Sequence, residues 1–270
     1  MSINKLHYVL QIADNALILG HRISEWCGHG PVLEQDIAIT NTALDHIGQA
    51  RNLYQYAADL YNQMNAKDKK NAFTYFTLEE DKTATEDTFP YLRDAWDFKN
   101  VLLVEQANED WAYTVARSFF YDSFMLLFYS ELSNSNDEQL QSIAIKSLKE
   151  VQYHQRWSRD WVIRLGDGTE ESHEKMKEAI LNLWAFTGEL FMPSEADKAM
   201  TAEELGVDVS QLRDSWFNMV KDTLTEATLE VPDINAWMHR GGKEGKHTEK
   251  LGFILTDMQF LQRSYPDATW

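Results

Sequence analysis

The sequence contains few residues that interrupt helices. Its 270 residues include only five prolines and twelve glycines. A many-stranded sheet would need a turn signal every ~8–12 residues, so this composition argues against β-rich folds. Apolar residues make up 44% of the chain and charged residues 25%, which is typical of a globular protein with a sizeable core. The composition therefore predicts an all-α protein.

Cysteine and long apolar runs are also scarce. Cys27 is the sole cysteine and cannot form an internal disulfide, so we expect a reducing cytoplasm and a buried structural thiol. The apolar stretch at residues 6–19 is interrupted by Gln11, Asp14 and Asn15, which does not fit a signal peptide. The sequence contains no run of ~20 apolar residues, so we predict no membrane-spanning helix.

Positive charge is in the minority. The 25 Lys and Arg residues stand against 43 Asp and Glu residues, a net charge of −18. A field of this sign repels nucleic acids and anionic lipid surfaces. We therefore expect neither as a partner.

Apolar residues recur at helical spacing along most of the chain. This spacing predicts four long helices at about residues 4–26, 33–64, 111–133 and 137–165. The polar stretch at 65–100 is expected to be a long connection with short helical pieces, as between the hairpins of ferritin-like bundles. Further helices are predicted at about 170–191, 208–227 and 249–264. The prediction is a single ferritin-like four-helix domain over residues 1–270, with its core at about 4–165 and flanking C-terminal helices at about 170–264.

Two segments of the second and fourth helices share a pattern. Residues 45–51 read DHIGQAR and residues 150–156 read EVQYHQR. Each has an acid, then Gln or His four residues later, then Arg. A ferritin-like di-iron bundle needs Glu-x-x-His on each of two helices, because positions i and i+3 share a face and can hold one iron together.

The matching positions in this chain are His46 and Gln49 on the second helix and Val151 and His154 on the fourth. Neither pair contains the bridging Glu, and a neutral Gln amide compensates no cationic charge. We therefore predict the architecture of a di-iron oxygenase without a metal site or catalytic residue in this chain, and a polar structural layer at these positions. Carboxylates could also come from the other helices, at Asp14, Glu25, Asp122 and Glu131.

The charged residues of the two segments suggest a replacement for the metal. We hypothesise that Asp45 and Glu150 form charge pairs with Arg51 and Arg156 in the space that iron would fill, because buried charges persist only when paired. The alternative is four exposed charges.

Residues 239–250, HRGGKEGKHTEK, form a basic, glycine-rich island in an acidic chain. Arg240, Lys243, Lys246 and Lys250 are candidates to contact an anionic ligand or an acidic partner surface near the start of the last helix. An exposed loop before a helix is the alternative.

Four segments together resemble a known family. They are residues 20–29 (GHRISEWCGH), 44–52 (LDHIGQARN), 102–106 (LLVEQ) and 241–249 (GGKEGKHTE). With them the chain resembles, over nearly its whole length, the ferritin-like C subunits of phenylacetyl-CoA 1,2-epoxidases, in the phenylacetic acid catabolic protein family. The chain departs from that pattern in a longer polar stretch at about residues 67–87.

The resemblance implies a structural, non-catalytic subunit in a hetero-oligomer. Its partner would be the A subunit, which carries the di-iron site and epoxidises phenylacetyl-CoA, and this chain would hold no cofactor. A homodimer is a further expectation. The basic island would then be a candidate contact for the phosphates of coenzyme A. Two alternatives are an autonomous di-iron oxygenase with atypical ligands and a CoA-thioester-binding module.

Overall fold

The computed structural model describes residues 2–79, 81–265 and 268. Within these residues the chain forms α-helices and no strand, so the predicted all-α class is confirmed. The helices are α1 (Ile3–Ser24), α2 (Leu33–Asn62), α3 (Ala66–Asn71), α4 (Thr88–Leu92), α5 (Trp111–Leu132), α6 (Glu138–Gly166), α7 (Glu170–Trp184), α8 (Glu195–Ala202), α9 (Arg213–Glu226) and α10 (Glu249–Ser264). Short 3₁₀ turns lie at Ala95–Asp97, Gly188–Phe191, Val209–Leu212 and Gly242–Glu244.

Two compact units divide the chain, and each is assembled from separate segments. Unit 1 contains Met1–Glu105, Ser194–Ala199 and Gly241–Trp270. Unit 2 contains Gln106–Pro193 and Met200–Arg240. The organisation of residues 1–270 as one ferritin-like domain stays a prediction.

Unit 1 is built on the hairpin of α1 and α2. Ser2 caps α1, since its hydroxyl accepts a hydrogen bond from the Asn4 amide. The two helices approach closely at Gly20, where an added Cβ would lie 3.0 Å from Ile47 Cδ1 and 3.2 Å from His46 Cβ. A side chain at Gly20 would therefore push the helices apart.

The connection after α2 is a long polar stretch with short helical pieces, as the sequence predicts: α3, α4 and a 3₁₀ turn. It belongs to unit 1. The last helix, α10, packs on α4. The Gln259 side chain donates hydrogen bonds to the carbonyl oxygens of Pro90, at 2.8 Å, and Arg93, at 2.9 Å. The C-terminal segment thus completes the core of unit 1.

Unit 2 is built on the hairpin of α5 and α6, against which α7 and α9 pack. Asp137 caps α6 by accepting from the amides of Gln139 and Leu140. The aromatic residues of α5 are largely buried, so this helix belongs to the core of unit 2. The Trp216 indole of α9 donates to the carbonyl oxygen of Phe120, at 2.9 Å, which ties α9 to this core.

Cys27 corrects one expectation. It lies exposed after the end of α1, with its sulfur 3.2 Å from the Thr40 hydroxyl oxygen. The next residue, Gly28, has φ 81°, a left-handed conformation that glycine adopts readily. The prediction of a buried structural thiol is wrong.

The described helices also bear on membrane insertion. None of them combines the length and the apolar composition that crossing a bilayer needs.

Candidate functional site

The first motif lies on α2 in unit 1. His46 and Gln49 are buried, Asp45 is half-buried and Arg51 is exposed. The spacing of His46 and Gln49 places both on one helix face. The buried polar positions that the sequence singled out are therefore an imidazole and a neutral amide.

The second motif lies on α6 in unit 2. Val151 and His154 are fully buried, Glu150 is half-buried and Arg156 is exposed. Val151 occupies the position of a bridging Glu and offers no ligand atom. Of the motif positions on this helix, only His154 retains a group that could bind a metal.

The expected layer of buried charge pairs needs a correction. Arg51 is 66% exposed and pairs with Glu86 at 3.2 Å, a residue of the connection that also accepts from Gln55. Arg156 is likewise exposed. The two arginines therefore lie at the surface, where long side chains keep their charge hydrated.

A buried ion pair lies elsewhere in unit 1. Asp14 of α1 and Arg93 are both fully buried and in direct contact. The Asp14 carboxylate also accepts from the Tyr54 hydroxyl, at 2.6 Å, and from the Lys99 amide, at 2.8 Å. Burial, followed by the Asp14 charge, raises the pKa of Tyr54 well above its ordinary value, so the phenol stays protonated and donates.

The Asp122 carboxyl of α5 is the corresponding buried acid of unit 2. It accepts from the Ser158 hydroxyl at 2.9 Å. Burial raises its pKa to about 6, against the opposing effects of His154 and the Ser158 hydrogen bond. A carboxyl in this environment binds a proton more tightly than one in water does.

These donors do not fit a di-iron centre. Two irons need anionic bridging oxygens, and the two bridging positions hold His46 and Val151. Asp14 is already neutralised by Arg93. Glu25 pairs with Arg22 at 2.7 Å, and Glu131 is exposed. We therefore derive no di-iron chemistry from the residues that the structure describes.

The basic island is less exposed than its sequence suggests. The Lys243 ammonium pairs at 3.1 Å with Asp197, and both side chains are buried. Asp197 in turn accepts from the Gln11 amide, at 2.9 Å. Lys243 is thus a structural cation of unit 1 rather than a surface contact for an anion.

The other cations of the island differ in their surroundings. Lys246 is exposed and pairs with Glu244 at 3.0 Å. Lys250 is half-buried, and its carbonyl oxygen accepts from Arg22 at 3.1 Å. Arg240 is exposed in unit 2 and lines a cavity there. Arg240 therefore contributes to a concave surface.

One buried cluster was not anticipated from the sequence. The fully buried Glu105 carboxylate accepts from the Thr248 amide, at 2.7 Å, and the Thr248 hydroxyl, at 2.8 Å. Asn100 and His247 each place a nitrogen 2.9 Å from its other oxygen. Arg22 donates to the Glu105 carbonyl oxygen at 3.1 Å. Three of the four segments that carry the family resemblance thus meet here, which their order in the chain could not show.

The helices and these sites together define the class of protein. The chain is a ferritin-like all-α protein whose two long hairpins carry the motif positions. It belongs to the family described as phenylacetic acid catabolic proteins, whose sequence model matches residues 2–270. Over 263 residues it is 43% identical to the C subunit of 1,2-phenylacetyl-CoA epoxidase from Escherichia coli strain K12. That alignment covers 97% of this chain and 98% of the relative.

Proposed function

We propose that this chain is a structural, non-catalytic subunit of a phenylacetyl-CoA epoxidase in phenylacetate catabolism. The observation that carries the proposal is the absence of a carboxylate at both bridging positions, where the sequence has His46 and Val151. A bundle of this kind cannot hold two irons through bridging acids. The relative of known activity is itself named as one subunit of an epoxidase, which supports a role within an assembly.

The proposed partner is the catalytic A subunit, which would carry the di-iron centre. One surface that supports such an interface is the outward face of α2, where Leu33, Ile37 and Leu44 are 72%, 53% and 63% exposed. Ile37 and Leu44 follow Leu33 by four and eleven residues, which places all three on one side of the helix. Exposed apolar patches of this kind mark interaction surfaces.

Co-expression tests the proposal directly. The chain and a candidate catalytic subunit would be purified together, separated by size exclusion and assayed with phenylacetyl-CoA, oxygen and a reductase. We expect a stable hetero-oligomer that turns over substrate and no turnover by this chain alone.

Iron loading separates the proposal from an autonomous di-iron oxygenase. The isolated chain would be loaded anaerobically with ferrous iron, desalted and analysed for metal. We expect substoichiometric iron. About two irons per chain, together with turnover by the chain alone, would contradict the proposal.

We also propose the cytoplasm as the compartment. A single exposed thiol at Cys27 suits a reducing environment, where structural disulfides are rare. Fractionation of cells expressing the chain would test this.

A further inference from the structure

Unit 2 contains a cavity of about 540 Å³ with an unusual lining. Its lining includes three tryptophans, Trp184, Trp216 and Trp237, and two arginines, Arg213 and Arg240. Cavities of ~300–1,000 Å³ hold small organic ligands. Indole faces accept flat rings by stacking, and guanidinium groups bind anions.

The charge of the lining is opposite to that of the chain. The chain has 43 acidic residues and a net charge of −18. Among the described residues that line the cavity none is acidic, whereas two are arginines. The overall field of the protein repels anions. Two arginines without an acidic neighbour in the lining favour an anion in this cavity instead.

The segment that supplies Trp237 and Arg240 to the lining is held in place by hydrogen bonds. The Trp184 indole donates to the carbonyl oxygen of Asp233, at 2.9 Å, and Arg213 donates to that of Ile234, at 2.7 Å. The His239 amide donates to the carbonyl oxygen of Ala185, at 2.7 Å. The segment that carries Trp237 and Arg240 is therefore fixed at both ends before any ligand arrives, which lowers the entropic cost of binding.

Trp237 is exposed although its surroundings are ordered. Its side chain is 72% exposed, and its ring packs edge-on against His239 at 4.4 Å. His239 in turn stacks on Phe186 at 4.4 Å. This stack holds the Trp237 indole without burying it, so its position contributes little to the core and leaves ring surface for another molecule.

Two residues of the lining, Gly188 and Met238, are in close contact. A Cβ added at Gly188 would lie 2.4 Å from Met238 Cγ. Any side chain at Gly188 would push Met238 from its position. Glycine at this position therefore lets Met238 take its place in the lining.

We propose that this cavity binds a planar aromatic group that carries an anionic substituent. The ring stacks on the exposed Trp237 indole, and the anion pairs with Arg240. Arg213 already donates one hydrogen bond to the carbonyl oxygen of Ile234 and adds a second positive charge to the lining. Two sources share this chemistry: the phosphorylated adenosine of a nucleotide-containing cofactor and an aryl carboxylate.

Calorimetric titration of the full chain with two probes tests the proposal. Adenosine 3′,5′-bisphosphate represents the first source and phenylacetate the second. We expect at least one probe to bind, and the probe that binds identifies the source. Binding should weaken with added salt, because the arginine contact is partly exposed.

Two variants and two matched controls locate the binding. We expect Arg240→Gln and Trp237→Ala each to lower the affinity for the probe that binds by ~10-fold or more. Arg156→Gln and Trp96→Ala remove an exposed arginine and a 61% exposed tryptophan that do not line the cavity, and should leave the affinity unchanged. Failure of both probes to bind at millimolar concentration, or equal affinity in all four variants, would overturn the proposal. Neither result depends on turnover by an epoxidase, so the proposed function is tested separately.

Discussion

Arg93 places a positive charge inside unit 1, where it is paired with Asp14 and shielded from water. Such a pair adds little net stability compared with apolar packing, but removal of one partner leaves the other charge buried and unpaired. The Arg93 guanidinium also lies 4.3 Å from the centre of the Phe98 ring. Stability should therefore depend strongly on Arg93 and weakly on surface arginines.

A pair of substitutions measures this difference. Arg93→Met keeps much of the side-chain volume and should lower the free energy of unfolding by about 3–5 kcal/mol, because Asp14 loses its counter-ion. Arg51→Met removes an exposed ion pair and should cost about 0–1 kcal/mol. Urea denaturation monitored by circular dichroism measures the free energy of unfolding of both variants. Similar losses in the two variants would show that the Asp14 carboxylate finds another partner.

Asp122 predicts a dependence of stability on pH. Its folded pKa of about 6 lies above the ordinary value of 3.8, so the folded state binds its proton more tightly than the unfolded state does. The resulting stabilisation is present below about pH 4 and is lost as pH rises to about 6. Asp122→Asn removes this loss, so its stability relative to the unmodified chain should rise by about 2–3 kcal/mol from pH 4 to pH 7.

Urea denaturation at several pH values measures the effect of Asp122→Asn. The control is Glu131→Gln, which changes an exposed acid on the same helix and should show no such trend. A difference between Asp122→Asn and the unmodified chain that stays constant with pH would argue against a raised pKa.

At the scale of elements, apolar spacing and scarce breakers were sufficient to predict the long helices. The helix predicted at about 137–165 matches α6, which begins at Glu138 with Asp137 as its N-cap. The short helix α8 was missed, because eight residues give too little periodicity to distinguish a helix from a loop.

Contacts between distant elements could not be predicted from the sequence. Lys243 looked exposed from its basic neighbours, whereas its partner Asp197 lies 46 residues away in the chain. The Glu105 cluster joins residues separated by 142 and 143 positions. No local pattern encodes such pairings, because they are set by the packing of whole elements. Similarly, the composition of the motifs predicted the loss of ligands, but it could not show that Arg51 pairs with Glu86 instead.

Two glycines on the first hairpin give opposite predictions. Gly20→Val should destabilise the chain by about 1–3 kcal/mol, because the added atoms meet Ile47 and His46. Gly48→Ala should stabilise it by about 0.5–1 kcal/mol, since an added Cβ there has no neighbour within 4 Å and alanine favours the helix. Thermal and urea unfolding of both variants would check the signs. Stabilisation by Gly20→Val would contradict close packing of α1 on α2.

At the scale of the whole molecule, successive segments of the chain belong alternately to unit 1 and unit 2. Its surface is strongly acidic overall, while α2 presents the apolar face of Leu33, Ile37 and Leu44. The acidic surface repels other acidic molecules and so opposes nonspecific association. The apolar face of α2 therefore favours association with a partner through apolar contact.

The α2 face can be tested in the proposed complex. Leu44→Glu places a charge on that face and should weaken association with the catalytic subunit by ~10-fold or more. Leu181→Glu, at a 54% exposed position on α7, is the matched control and should not. Equal retention of the catalytic subunit by both variants, measured by size exclusion, would remove α2 from the interface.

The return of residues 241–265 to unit 1 has a consequence for biosynthesis. Glu105 leaves the ribosome long before His247 and Thr248, whose donors satisfy its carboxylate. The segments of unit 2 end at Arg240, so they have all been translated while unit 1 still lacks its last helix. Residues 1–105 of the nascent polypeptide therefore lack the donors of His247 and Thr248 until residues 241–265 have been translated. During that interval the incomplete unit 1 is a substrate for chaperones.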